Sequence, residues 1–152
     1  MPSYAGAKQA IEARLRANWT TTTIAVPNPT RAQTALVKTR DADGETIPWV
    51  YLEIADAGSA QIGVGRPGDQ LWAYDGLINV HVFVPNGSGT ADAEAYADQI
   101  GDIFRAARFY ADTPGFEVRC GSPRVGDAGS GSDDGLWYRV TATIPFEYFH
   151  RG

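Results

Sequence analysis

The stretch LWAYDGLINVHVFV, residues 71–84, decides the fold class, because its apolar residues recur at every second position. A period of two is that of a β-strand with one buried face. The opposite face is mixed in character and includes His81. Such a pairing of faces is typical of an antiparallel sheet that is covered on one side. The predicted inward residues of this strand are Trp72, Tyr74, Ile78, Val80, Val82 and Val84.

Further stretches on both sides show the same alternation and predict further strands. The β-prone run TTTTIAV, residues 20–26, predicts one more strand and is stopped by Pro27. The polar segment 30–46 is predicted to be a loop, with RDADGET, residues 40–46, as a loop or hairpin tip, and GSDDG, residues 131–135, as the tip between the last two strands. The other predicted inward residues are Val50, Leu52 and Ile54; Phe116, Val118 and Cys120; and Leu136, Tyr138, Val140, Ala142, Ile144, Phe146 and Tyr148.

Two helices are predicted to cover the apolar face of the sheet. The first, at about 5–19, has an apolar stripe at helical spacing, and the second, at about 90–110, begins with Thr90 as a side-chain N-cap. The inward residues would be Ala7, Ile11, Leu15 and Trp19 in the first helix and Tyr96, Ile100, Ile103, Phe104 and Ala107 in the second. These elements predict an α+β fold, a single two-layer domain over residues 1–152. Its mainly antiparallel twisted sheet would have two helices packed on one face, strands within 20–84 and a C-terminal hairpin at about 115–149.

Composition excludes several classes of function. The chain has 152 residues, a formal charge of −5 and only two lysines, Lys8 and Lys38, which disfavours tight nucleic-acid binding. It has no apolar run long enough to span a membrane and no apolar N-terminal segment typical of a secretory signal. The single cysteine, Cys120, cannot form an internal disulfide, so a reducing compartment is expected. Its position in register with apolar neighbours favours a core residue over a reactive thiol.

The glycine loop PNGSGTAD, residues 85–92, lies between a predicted strand and a predicted helix, as phosphate-binding loops do. It lacks the lysine of a P-loop, and Asp92 and Glu94 put negative charge where the phosphate would bind. The two histidines, His81 and His150, are far apart in the sequence, and no serine stands in a G-x-S-x-G motif. We therefore predict a turn, no catalytic, cofactor-binding or metal-binding residues, and no enzyme activity.

The mixed face of the sheet is the first candidate interaction surface. It carries aromatic residues where solvent is expected, namely Trp49, Tyr51, Trp137 and Phe149, beside Arg139. Aromatic residues and arginine are enriched in protein interfaces. These aromatic side chains could instead pack under the 30–46 loop. His81 lies on the same face and is predicted to be a surface or interface residue.

Two charged segments complete the candidate surface. SAQIGVGRPGDQ, residues 59–70, is a glycine-rich segment with Arg66 and Asp69 that could bend and project as an arm. An acidic row on the second helix has two interpretations: a solvated face, or a contact for a basic partner. The row consists of Glu94, Asp98 and Asp102.

Four segments together resemble tail terminators of long, non-contractile-tailed bacteriophages, and more narrowly a phage-related family also found in gene transfer agents. They are AIEARLRANWTTTTIAVPN (10–28), PWVYLEI (48–54), GLINVHVFVPNGSGTADAEAYADQIGDIFR (76–105) and GLWYRVTATIPFEY (135–148). The resemblance covers nearly the whole chain in order. Segment 31–46 matches it least.

The resemblance implies a structural virion protein at the head-proximal end of a siphovirus tail, assembled in the host cytoplasm. It implies a hexameric ring that caps the tail tube, ends tube polymerisation and forms the head–tail joining surface. The implied partners are other copies of the chain, the tail tube protein and a head-closure or connector protein. DNA would pass through the lumen without specific binding, and no membrane or cofactor is implied. Two alternatives stay open: another ring protein of the neck or tail, or a small ligand-binding domain or enzyme with Trp49, Tyr51 and His81 lining a pocket.

Overall fold

The computed structural model describes residues 2–130 and 136–152, so the predicted tip at residues 131–135 lies outside the described residues. The predicted α+β class is confirmed: helices and a mainly antiparallel sheet form one domain. In chain order the elements are α1 (Tyr4–Asn18), β1 (Thr23–Ala25), α2 (Arg31–Leu36), β2 (Trp49–Gln61), β3 (Leu71–Pro85), α3 (Ala91–Phe104), β4 (Arg108–Phe109), β5 (Glu117–Cys120), β6 (Arg124–Ser130) and β7 (Trp137–Arg151).

The sheet is built around two long strands, β3 and β7, which pair along their whole length. Its strand order is β1-β2-β3-β7-β5-β4, and β6 also pairs with β7. Strand β1 is parallel to β2, whereas the other pairs are antiparallel. On the side of β7 away from β3, β5 pairs with the C-terminal half and β6 with the N-terminal half. The predicted hairpin is therefore one long strand flanked by two shorter ones.

The core lies between one sheet face and helices α1 and α3, as the strand periodicity predicts. Most predicted inward strand residues are buried, including Val50, Ile78 and Val140, each with no exposed area. The prediction is wrong for Leu136, which is 40% exposed because it precedes the first paired residue of β7. Four other predicted inward strand residues are only partly buried. Trp72, Tyr74 and Tyr138 lie toward the ends of their strands, whereas Ile54 lies in the middle of β2.

Helix α1 matches its predicted position, whereas the second helix is shorter than predicted. Ser3 caps α1 by accepting a 3.0 Å bond from the backbone N–H of Gly6. Helix α3 ends at Phe104, because Ala106 adopts a positive φ of 51°, which a right-handed helix cannot continue through. The predicted hydroxyl cap at Thr90 is wrong: its backbone is helical, and its side chain makes no capping hydrogen bond.

Segment 30–46 contains a helix that the sequence analysis missed. The hydroxyl of Thr30 accepts a bond from the N–H of Gln33, and the side chain of Gln33 accepts one from the N–H of Thr30. This is a capping box, and its T-x-x-Q signature was present in the sequence. The predicted hairpin tip is confirmed, because Arg40 and Thr46 form an antiparallel bridge around the turn.

Candidate interaction surface

One end of the sheet's second face holds an aromatic cluster. The rings of Trp49 and Phe83 stack at 4.4 Å between centroids, and Trp137 meets Trp49 edge-on at 5.9 Å. Trp137 is only 8% exposed, so the prediction of an exposed aromatic group is wrong at this position. Phe83 was missed, although its odd position in β3 places it on this face. Because these rings cover one another, the cluster adds stability to the sheet and offers only part of its area to a partner.

His81 lies at the middle of this face, between β2 and β7. Its Nδ1 is 2.8 Å from the hydroxyl oxygen of Thr141, and its Nε2 is 3.7 Å from a carboxylate oxygen of Glu53. Its ring stacks on Tyr51 at 6.3 Å. Burial lowers the pKa of His81 below 6.5, the nearby Arg139 lowers it further, and Glu53 opposes the shift. The imidazole is therefore neutral at neutral pH and acts as a polar packing residue.

The rest of the second face forms a shallow apolar hollow with a charged rim. A cavity of about 650 Å³ lies over Leu77, Pro145 and Phe149. Leu77 is 39% exposed although it sits in the middle of β3. The guanidinium of Arg119 lies over the ring of Phe149 at 4.7 Å and forms an ion pair with Glu117. An apolar centre with a polar rim is the usual organisation of a protein interface.

The predicted arm is the far end of the β2–β3 hairpin, and its base is tied to the C-terminus. Gln70 and Gly152 exchange two backbone hydrogen bonds of 2.9 and 3.0 Å. Asp69 forms a 3.3 Å ion pair with Arg151, so this candidate contact residue is already engaged within the chain. Arg66 is exposed and has no ion pair within the described part of the chain.

The tip of the arm exposes two aliphatic side chains that the sequence analysis did not select. Ile62 is 51% exposed and Val64 is fully exposed. The sequence feature that could have predicted this tip is the alternation of Ile62, Val64 and Arg66 with intervening glycines. Isolated exposed apolar residues are common, but two at one tip beside a cation form a candidate contact.

The acidic row is exposed along α3. Glu94 and Asp98 are exposed, while Asp102 forms a 3.1 Å ion pair with Arg105. All three carboxylates lie outside the buried stripe of the helix, which consists of Ala93, Ala97, Ile100, Gly101 and Phe104. Their part in a contact stays a prediction.

The glycine loop forms a turn between β3 and α3. Gly87 and Gly89 have φ values of 90° and 88°, a region that glycine adopts readily. The N–H and the hydroxyl of Ser88 donate to the carbonyl of Pro85 at 3.3 and 2.7 Å. The turn prediction is thus confirmed.

The described residues contain neither a candidate metal site nor a candidate membrane-spanning helix. Among the residues that the structure describes, no three histidine, cysteine, aspartate or glutamate side chains group closely enough to hold a metal ion. In the same residues, no helix has both the length and the apolar character needed to span a membrane. Cys120 is buried, as predicted, and this burial raises the pKa of its thiol to about 11.

Comparisons with known proteins bear on the role of these surfaces. The family model described as phage tail terminator protein matches residues 7–146. Curated proteins give no match to the chain. Twenty-four chains of solved structures match. One of them is 19% identical, with a TM-score of 0.60 over 97% of this chain and 96% of the other. At that identity the structural likeness shows the fold alone.

Proposed function

The chain belongs to the phage tail terminator protein family, and from this premise we propose that it caps the tail tube as a six-membered ring. Family membership makes it a structural protein of the bacteriophage virion that interacts with other tail components. In the proposal the ring sits at the head-proximal end of the tail, ends tube polymerisation and presents the surface on which the head is joined.

The observation that supports a ring most directly is the second face of the sheet. Helices α1 and α3 cover the opposite face, while Leu77, Pro145 and Phe149 form an apolar hollow rimmed by charged side chains. A second copy of the chain covering this hollow would remove the exposed apolar area from water.

A closed ring also requires two different patches on each chain, because a rotational ring is built from heterologous contacts. The hollow and the arm are two separate surfaces of one molecule, and each would meet a different surface of a neighbouring copy. The acidic composition agrees with a DNA passage: six copies at −5 each carry −30 in total. A negative lumen repels the phosphate backbone and lets DNA pass without binding it.

Particles made without the chain test the proposal. Their tails should be overlong or lack heads in negative-stain images, and complementation with the intact chain should restore normal tails. Normal, head-bearing tails in its absence would refute the terminator role.

The mass of the assembled chain separates a terminator from a tube subunit. A mass measurement on the chain assembled on tails should give a closed six-copy ring. Growth into tubes of unlimited length would instead indicate a tube subunit.

A further inference from the structure

The outer edge of β2 is open for most of its length. Strand β1 pairs only with Trp49–Tyr51, and Pro27, which has no N–H to donate, follows shortly after it. From Leu52 onward, no strand of the described residues pairs with this edge of β2. Long unpaired edges are sites where another chain can add, so natural proteins usually cover them.

A groove lies beside this open edge, between β2 and α1. Its volume is about 210 Å³, and its apolar lining comes from Val26, Pro27, Leu52 and Ile54. For scale, a dry apolar cavity of about 150 Å³ accommodates benzene. The groove therefore has room for an aliphatic side chain from another molecule.

The arm tip carries matching side chains. Ile62 and Val64 are exposed, and Arg66 follows at the same two-residue spacing. This segment follows the last residue of β2, Gln61, and the backbone bends at Gly63 and Arg66, so the three side chains form an exposed, irregular tip. The intervening glycines, Gly63 and Gly65, carry no side chains that would keep the segment away from a facing backbone.

The tip cannot fill the groove of its own chain. Eight positions of β2 and its continuation separate Ile54 from Ile62, which is about 26 Å of extended chain. The base of the arm is fixed to the sheet, because β3 pairs with β7 from Leu71 onward and Gln70 exchanges two backbone hydrogen bonds with Gly152. Any docking of the tip in this groove must therefore join two copies.

The groove lining carries one cation, Lys8, and one anion, Glu12, and Lys8 is already paired with Asp56 at 3.5 Å. Glu12 lines the groove, and its two polar contacts, with Arg16 at 3.4 Å and Gln33 at 3.3 Å, both use Oε2. Its Oε1 is left for a further donor within the described part of the chain. Arg66 is an exposed cation at the arm tip and could supply that donor.

We propose that the arm tip of one copy, residues 62–66, docks in the α1–β2 groove of the next copy. Val64 fills the apolar groove, Ile62 covers the adjoining edge of β2, and Arg66 pairs with Glu12. This rests on the proposed ring and specifies one of its contacts. The contact is heterologous, as a closed ring requires, and it covers an exposed apolar tip and an open strand edge together.

Disulfide trapping in assembled tails tests the contact. In a Cys120→Ala background, chains with Val64→Cys and chains with Gln9→Cys carry different tags and are incorporated together. Gln9 is an exposed residue that lines the groove. Mild oxidation should give a mixed dimer that carries both tags. Each single variant alone should give none.

The matched control pairs Val64→Cys with Asp98→Cys, which is also an exposed position but lies on α3. No mixed dimer is expected there, and one that formed in preference to the groove pair would overturn the inference. The copy number of the ring is measured on the same samples. A six-copy ring without the groove cross-link would refute the arm contact and leave the proposed function intact. Absence of any ring would refute both.

Charge exchange gives a second readout that does not depend on trapping. Arg66→Glu should abolish the mixed dimer, and Glu12→Lys in the neighbouring copy should restore it. Both positions are at the surface or partly exposed, so neither change should prevent folding. A mixed-dimer yield that is unchanged by Arg66→Glu would contradict the ion pair.

Discussion

Two adjacent residues of β3 allow the two sheet faces to be tested with one substitution. Ile78 has no exposed area and lies in the core, whereas Leu77 is 39% exposed and lies in the hollow of the second face. Both are aliphatic and both pair within the sheet, Ile78 between Ile54 and Ile144 and Leu77 between Ala55 and Pro145. Replacing either residue with aspartate introduces the same carboxylate, on the core face at Ile78 and on the second face at Leu77.

The expected cost differs greatly between the two variants. Loss of a buried isoleucine side chain costs about 2–5 kcal/mol. An unpaired carboxylate in the core adds several kcal/mol more. Because domains are stable by about 5–15 kcal/mol, Ile78→Asp should abolish cooperative folding. Leu77→Asp keeps its carboxylate in water and should cost about 1 kcal/mol, which lowers Tm by about 2–4 °C.

Thermal unfolding followed by circular dichroism measures the difference in stability between the two variants. Tail assembly measures whether the hollow takes part in a contact. Leu77→Asp protein should fold but fail to complete tails, since the hollow then carries an unpaired charge at the contact. Soluble Ile78→Asp protein that melts cooperatively near the parent Tm would refute the face assignment. Normal tails assembled from Leu77→Asp protein would show that the hollow is not one of the ring contacts.

Three further predictions concern single residues. Burial raises the pKa of the Cys120 thiol to about 11, so a thiol-specific reagent at pH 8 should label the folded protein far more slowly than the unfolded protein; equal rates would contradict the core position. Burial lowers the pKa of His81 below 6.5, so the unfolded state binds more protons as pH falls through about 6.5. Tm should therefore fall on acidification, and His81→Gln should reduce the dependence of Tm on pH between pH 7.5 and 5. An unchanged dependence would contradict a lowered pKa of His81 in the folded state. A Cβ on Gly76 would lie 2.6 Å from the ring of Phe146, so Gly76→Ala should cost about 1–3 kcal/mol in urea unfolding, whereas Gly126→Ala meets nothing within 4 Å and should be nearly neutral.

The sequence alone determined which side of each strand faces the core, because alternation reports burial directly and needs no knowledge of the strand's neighbours. Ile78 and Val140 were assigned correctly for this reason, as was the stripe on α1 that includes Ile11. The glycine turn was also predictable, since its chemistry is local. The family was recognisable from segments spread over the chain, although no single residue is a chemical signature.

Tertiary structure decided the features that depend on what lies across from a residue. Trp137 has the parity of the second face, yet Trp49 covers it, because β2 and β7 both pair with β3 and their side chains meet over it. The sequence suggested that Asp69 was available to a neighbouring copy, but in the fold it forms an ion pair with Arg151 near the C-terminus. The open edge of β2 could not be predicted either, since it depends on how far β1 follows its partner. Local periodicity gives the direction of a side chain, but its burial and partners come from contacts between residues far apart in the chain.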